Sequence, residues 1–294
     1  MRNIYTLRVF FVLVVPITIL YLGFVYVPLL VSFYYSFTNF RGLGIPDFIG
    51  FKNYINLFND RWFYMSLKNT FFIMITSMII GTPLSFLCAN YICRCKNPIR
   101  SEAYKIILFA PNTIGGIIVG LMWVFILDPT TGLINLILRS LGLDNLALDW
   151  IGGKVLTPFS VGVVSSWAGV GFSIVIWLAG MKAISNEIYE SSYMDGASPA
   201  QQMFYLTIPL VKESFITLFI LGVTGSLKVF ETVFMLTGGG PVHYSETMVS
   251  YLYTTSFIGY KYGYGTTMGV VVFMIALIIT GFFLFITRKG ENTE

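Results

Sequence analysis

Charge is what this chain has least of. Asp, Glu, Lys and Arg make up 11% of its 294 residues and hydrophobic residues 56%, whereas a soluble globular domain is charged at about a quarter of its positions. A water-soluble fold is excluded, and an all-α integral membrane protein is the class that remains. The 18 Lys and Arg against 14 Asp and Glu give a formal charge of +4. These cations sit in short clusters beside apolar runs rather than along one polar face, which argues against nucleic acid as a partner. Histidine occurs once and cysteine three times. Cys88, Cys93 and Cys95 fall near the end of one apolar run, no second Cys/His cluster completes a zinc site, and the three read as free thiols. His243, in a polar connection, reads as solvated. No metal-spaced cluster and no paired acids across apolar runs suggest an enzyme. The run Thr-Gly-Gly-Gly-Pro at 237–241 lacks the Gly-Lys-Ser/Thr that would make it a phosphate cradle. If ATP drives this protein, another polypeptide must bind it.

Apolar runs are abundant. Stretches long enough to cross a hydrocarbon core, which takes about 20 helical residues, lie at about 9–37, 70–93, 106–127, 155–181, 214–236 and 266–287. Six spans in a single domain, residues 1–294, put both termini on one side of the membrane. Arg2 and Arg8, then Arg94, Lys96, Arg100 and Lys105, then Arg288 and Lys289 predict that this side is the cytoplasm. The connections at 38–69, 128–154 and 237–265 then face out, and 182–213 faces in. Within the spans, Gly116 with Gly120 and Gly222 with Ser226 form small-xxx-small pairs suited to close helix packing among lipids. Outside them, Leu133 to Leu141 has the spacing of a short amphipathic helix on the outer interface, and Ser245 to Phe257 reads as a short helix before the last span.

The 187–210 segment is the most informative. Ser185 or Asn186 can cap a first helix running to Met194 or Asp195, Gly196 supplies a left-handed turn, and Ser198 and Pro199 start a second helix. Thr207-Ile208-Pro209 is expected to end that helix, because the residue before proline is pushed out of the α region. A connection needs only a few residues; this one is built and capped.

Glu190-Ser191-Ser192, then Gly196, then Ile208-Pro209 resembles the "EAA" loop of binding-protein-dependent ABC importer permeases, with serines at the two alanine positions. Ile49-Gly-Phe-Lys-Asn-Tyr-Ile-Asn-Leu-Phe58, Leu236-Thr-Gly-Gly-Gly-Pro241 with Glu246-Thr247, and Tyr253-Thr-Thr-Ser-Phe257 resemble motifs of the carbohydrate-type branch, that of the maltose and glycerol-3-phosphate importers. The resemblance implies a type I importer permease fold in a bacterial or archaeal cell membrane. It implies a heterodimer with a second permease, an ABC ATPase dimer carrying ATP and magnesium, an extracytoplasmic sugar-binding protein, and no cofactor or catalysis in this chain. It makes residues 184–212 the coupling loop seated on the ATPase, with Glu190, Ser191, Ser192, Asp195, Gly196, Ala197 and Pro209 at the contact.

For cargo, Lys228 and Glu231 stand at helical i, i+3 spacing within the fifth span, with Phe230 and Thr232 beside them and Asn112 in the third span. Ionisable groups at membrane depth are functional candidates, and aromatic faces with hydrogen-bonding groups suit a sugar. A charge pair at this spacing also serves structure alone. The competing class, an ion-coupled secondary transporter of a small polar solute, is built from internal repeats and broken helices. No repeat is evident among the six spans, and such a transporter has no use for a built cytoplasmic loop.

Overall fold

The computed structural model describes residues 7–291, with side chains from 11 to 287. The side chains of Arg2, Arg8, Arg288 and Lys289, on which the orientation rests at the two ends, lie outside the described residues. Among those described, the regular structure is helical, apart from one isolated bridge between Thr38 and Phe48. Its residues group into two compact units, one running to Arg61 and resuming at Leu252–Leu277, the other comprising Trp62–Tyr251 and the described residues from Ile278 onward.

In the first unit, α1 (Leu7–Tyr21) and α2 (Val27–Ser36) are joined by a wide π turn at Leu22–Tyr26, and Phe11–Ser36 is a candidate membrane span. None of that span's most apolar window is buried, as suits a surface facing lipid or a second chain. The short α3 (Lys52–Phe58) follows. Its Asn53 amide donates to the carbonyls of Ser36 at 3.0 Å and Thr38 at 2.8 Å, and the Tyr54 hydroxyl meets Ser36 Oγ at 2.8 Å. Asn53 of the 49–58 motif thus satisfies carbonyls left open where the first span ends, and Tyr54 holds the Ser36 hydroxyl beside them. The last long helix returns to the same place. Thr267 donates to Ser36 O at 3.0 Å, and Gly263 N to Phe40 O at 2.9 Å.

In the second unit, α4 (Arg61–Cys93) is a single long helix. The third expected span is not one helix: α5 (Pro98–Thr113) and α6 (Gly116–Leu127) meet at 97°. Pro111 removes a backbone donor in the last turn of α5, and Ile114 and Gly115 are extended at the break. Next comes α7 (Leu133–Ser140), the amphipathic helix expected there. Its loop is tightly built: Asn135 donates to Pro129 O and Leu148 O and accepts from Trp150 Nε1 at 2.9 Å. The Asp128 carboxylate accepts the amides of Thr131 and Thr130 and the Thr130 hydroxyl, which hold its pKa well below the usual carboxylate range.

The long α8 (Leu156–Lys182) is the centre of the unit. In a membrane, lipid tails offer no hydrophobic drive for helix association, so close packing at small residues takes over. A methyl group on Gly171 would collide with the backbone of Leu108 and Phe109 in α5, and one on Gly162 would meet Thr76 of α4. Trp177 is buried, stacked edge-on against Phe86, and donates Nε1–H to Ser85 Oγ at 3.2 Å.

After α9 (Asn186–Met194) come α10 (Pro199–Gln202), a π turn at Met203–Thr207, and α11 (Ile208–Leu210). The expected stop before Pro209 does not occur, and Ile208 stays in the α region at φ −58°, ψ −50°. The π turn explains this: by shifting the bonding register by one residue, it relieves the clash a proline makes with the carbonyl four residues back. The direction changes two residues later, at Val211, by 65°.

The fifth expected span is also divided, into α12 (Lys212–Leu227) and α13 (Glu231–Thr237). The latter packs on the glycine face of α6, where a methyl on Gly120 would stand 2.7 Å from Met235 Cβ. The predicted pair of Gly116 and Gly120 is thus a true close-packing face. Helices α14 (Met248–Tyr253) and α15 (Tyr262–Glu291) complete the chain, with Phe283 of α15 stacked on Phe219 at 3.9 Å. Among the described residues four helices are long and apolar enough to cross a membrane, or up to six if each bent pair is one span.

Candidate functional site

Two places in the second unit can carry function. The first is the pair of short helices between Lys182 and Val211. Ser185 caps α9, its side chain accepting from Glu187 N, and the helix closes with a paired motif: Ala197 N to Ser192 O at 2.9 Å and Gly196 N to Tyr193 O at 3.0 Å. Gly196 takes φ 78° with nothing within 4 Å of a Cβ built on it. Within this chain it is the backbone conformation, not crowding, that calls for glycine. Ser198 and Gln201 then form a reciprocal capping box, with Pro199 at the first helical position.

Bonds between the two helices fix their angle. Gln202 Nε2 donates to Ser192 Oγ at 2.9 Å, and the Tyr189 hydroxyl meets Thr207 Oγ1 at 3.0 Å. Ser192 therefore holds the helix pair together, while Glu190, Ser191, Asp195 and Pro209 are exposed and Ala197 is half-buried. Tyr193, Met194 and Tyr205 are 74%, 83% and 75% exposed. Beside the turn, Asp195, Gly196, Gln201 and Tyr205 border a recess of about 310 Å³. A rigid polar knob that displays large apolar side chains has the makings of a protein contact.

The second place is a cavity of about 420 Å³ walled by α4, α8 and α12. Its hydroxyls come from Ser77 and Thr82, from Ser165, Ser166 and Ser173, and from Ser226 and Thr232; Phe172 supplies an aromatic ring, and among the described residues no ionisable side chain lines it. Gly81, Gly169, Gly222 and Gly225 leave the space open. The Ser165 hydroxyl is buried and has no hydrogen-bond partner, an unusual state for a polar atom.

Of the cargo residues expected from sequence, only Thr232 is in this lining. Lys228 and Glu231 are not at helical spacing, because the helix stops between them: Lys228 ends α12, Phe230 has φ −137°, and Glu231 begins α13. Among the described residues no ion pair joins them. Lys228 is exposed, Phe230 stacks on Phe234, the Glu231 side chain lies against Gly116 of α6, and Asn112 is exposed in the last turn of α5. The break has a visible contributor, for the Val229 carbonyl accepts a hydrogen bond from Thr247 Oγ1 at 2.9 Å.

Sequence reasoning missed the α4 and α8 walls, although the signal was present. Small and hydroxyl residues are dense in Ser165-Ser-Trp-Ala-Gly-Val-Gly-Phe-Ser173 and recur in Gly222-Val-Thr-Gly-Ser226. Gly222 and Ser226, expected to seat a neighbouring helix, instead border the cavity, where a methyl on Gly222 would find Met78 of α4 at ordinary contact distance.

His243 is not merely solvated. Its ring lies 4.1 Å from that of Trp62, its Nδ1 pairs with the buried Glu246 carboxylate, and its carbonyl accepts from Asn69. The three cysteines are free, as expected.

Comparison with known proteins supplies the setting. Residues 81–289 match the family of binding-protein-dependent transport system inner membrane components. The probable ABC transporter permease protein YurN of Bacillus subtilis is 32% identical over 89% of this chain and 90% of its own. NgcF, the permease protein of the diacetylchitobiose uptake system of Streptomyces coelicolor, is 32% identical over 95% of this chain and 82% of its own. The fold agrees with a chain in the crystal structure of a bacterial ABC transporter involved in the import of the acidic polysaccharide alginate. That chain has a TM-score of 0.82 and 25% identity over 96% of both chains, and the same kind of assembly is known in complex with a pentasaccharide-bound periplasmic protein. These matches, together with the multi-span helical fold, make this chain a member of the family of inner membrane components of binding-protein-dependent ABC transport systems.

Proposed function

We propose that this chain is the permease subunit of an importer for an uncharged carbohydrate, and that α4, α8 and α12 wall part of the cargo path. The observation that carries this reading is the cavity: many hydroxyls, one of them buried without a partner, and no ionisable group. Hydroxyls donate and accept in turn, which matches the hydroxyls of a sugar, whereas a charged cargo taken out of water needs a counter-charge beside it. Its relatives support a sugar, although the solved neighbour's cargo is acidic.

The same reading gives the 184–212 loop to the ATPase. Glu190, Ser191, Asp195, Gly196, Ala197 and Pro209 would lie at that contact, with Ser192 bracing the knob from within. Lys228, Phe230, Glu231 and Asn112 would flank the path rather than line it. The chain would pair with a second, distinct permease, receive sugar from an extracytoplasmic binding protein, and keep both termini in the cytoplasm. It would perform no catalysis and bind no cofactor, ATP and magnesium being held by the ATPase dimer. The helix pair and α12 are separated by a single residue, Val211, so movement of the knob has a short route to the cavity wall.

The test is to purify the tagged chain from its native membrane, identify the subunits that accompany it, and reconstitute the complex in vesicles. ATP-dependent uptake of neutral oligosaccharides, with acidic ones excluded, is expected. Uptake that persists without ATP and follows a proton or sodium gradient would overturn the importer reading, and uptake of acidic oligosaccharides would overturn the uncharged cargo.

A further inference from the structure

We propose that Thr247 is a positioning residue that ties the 237–247 loop to the broken cavity wall, so that the two move together. This rests on the reading of the cavity as the cargo path. Thr247 is fully buried just ahead of α14, and its hydroxyl has two duties. It donates to the Val229 carbonyl at 2.9 Å and accepts from Ser250 N at 3.4 Å, while Ser250 Oγ accepts from Thr247 N at 2.8 Å. The Thr247–Ser250 exchange is a reciprocal cap of the kind that fixes a helix start. The other bond reaches a carbonyl inside the α12–α13 break, and Val229 itself lines the cavity.

Other ties of the loop run to the opposite wall. Asn69 Nδ2 donates to His243 O at 2.9 Å and Glu246 O at 3.1 Å, and Met248 N donates to Thr70 Oγ1 at 3.0 Å. Asn69 and Thr70 belong to α4, which carries Ser77 and Gly81 of the cavity further along the same helix. The loop is thus bonded to a continuous wall helix on one side; on the other it continues from α13, where Ser245 Oγ meets Thr237 Oγ1 at 2.6 Å, and the Thr247 hydroxyl ties it to the break itself. A three-residue interruption can change its dihedral angles without unwinding a whole helix. The Thr247 bond decides whether such a change is passed to the loop or lost at the break.

The test uses the complete complex of both permeases, ATPase and binding protein in vesicles, with Thr247→Val and Thr247→Ser compared. Losing the hydroxyl removes the tie to the carbonyl of half-buried Val229, so Thr247→Val should lower the maximal rate of ATP-dependent uptake about tenfold. The half-saturating concentration of loaded binding protein should move less than about twofold, and Thr247→Ser should restore the rate. A cargo-independent readout runs beside it: Ser226→Cys, with Cys88, Cys93 and Cys95 replaced by serine, labelled by a small methanethiosulfonate before and after trapping with ATP and vanadate. The change in labelling should survive in Thr247→Ser and vanish in Thr247→Val.

Thr70→Val removes a neighbouring tie but leaves Val229 bonded, and should stay near wild type. Equal damage from Thr70→Val, failure of Thr247→Ser to rescue, or normal uptake and labelling in Thr247→Val would each overturn the proposal. If Thr247→Val does not assemble, Thr247→Cys, a weaker donor of similar size, should fall between wild type and one-tenth of its rate; a wild-type rate would count against the bond. A wild-type complex that moves no carbohydrate yet shows the Thr247-dependent labelling change would refute the cargo assignment alone.

Discussion

The helix pair at 185–210 and the interrupted helix at 212–237 follow each other in the chain, yet their order comes from different sources. The helix pair is held by its own residues: caps at Ser185 and Ser198, a left-handed glycine at 196, and bonds from Gln202 to Ser192 and between Tyr189 and Thr207, all inside the segment. The interrupted helix is shaped by residues outside it. Thr247 takes the Val229 carbonyl, the glycine face of α6 receives α13, and Ser214 of α12 stands against Gly180 of α8. On the proposed reading, the knob keeps its shape through bonds of its own while its surroundings move, and the cavity wall changes shape with its neighbours through bonds to them.

The sharpest way to break this contrast is at the knob. Gly196→Asp forces a side chain into a positive-φ position and puts charge at the turn. Insertion into the membrane and pairing with the second permease should persist, while uptake falls to background and the ATPase no longer co-purifies. Full uptake with the ATPase bound would remove the knob from the coupling mechanism.

A smaller effect is expected at the wall. Gly222→Leu points a side chain toward the space beside Met78, which should reduce uptake about tenfold while the ATPase stays bound, because a filled site excludes cargo without touching the knob. Unchanged uptake kinetics would show that cargo passes elsewhere. The smallest effect is reserved for the charge at the break. Since Glu231 is outside the cavity lining, Glu231→Gln should leave uptake within about twofold of wild type; a larger loss, with the complex intact, would return that carboxylate to the cargo path.

The same contrast explains what could be read from the sequence. Much that is local was legible: Gly196 as a left-handed turn, Ser198 with Pro199 as a helix start, Leu133 to Leu141 as an amphipathic helix; the stop before Pro209 was not, because the π turn at Met203–Thr207 carries the helix past it. The membrane class and the six apolar runs followed from composition, because a bilayer constrains length and polarity so strongly. The two interruptions were not legible. Hydropathy averages over a window and counts Lys228-Val-Phe230 as part of an apolar run, whereas the break depends on a hydroxyl 18 residues further along. The cavity was hidden for a related reason. Small residues signal close packing and open space equally well, and only the facing helix separates Gly120, pressed against α13, from Gly222, where a Cβ would find Met78 of α4 at ordinary contact distance. Broken helices are also a mark of ion-coupled transporters; here they occur in a member of the importer family, so that criterion alone would have misled.

The π turn at Met203–Thr207 has a consequence of phase. A π turn amounts to one residue inserted into an α-helix, and each residue of an α-helix turns the chain by about 100°. The knob and the α12 wall are therefore rotated relative to each other by an amount written into a single extra residue. Deleting it would leave both parts folded but re-aimed, like a gear pressed onto its shaft one tooth off.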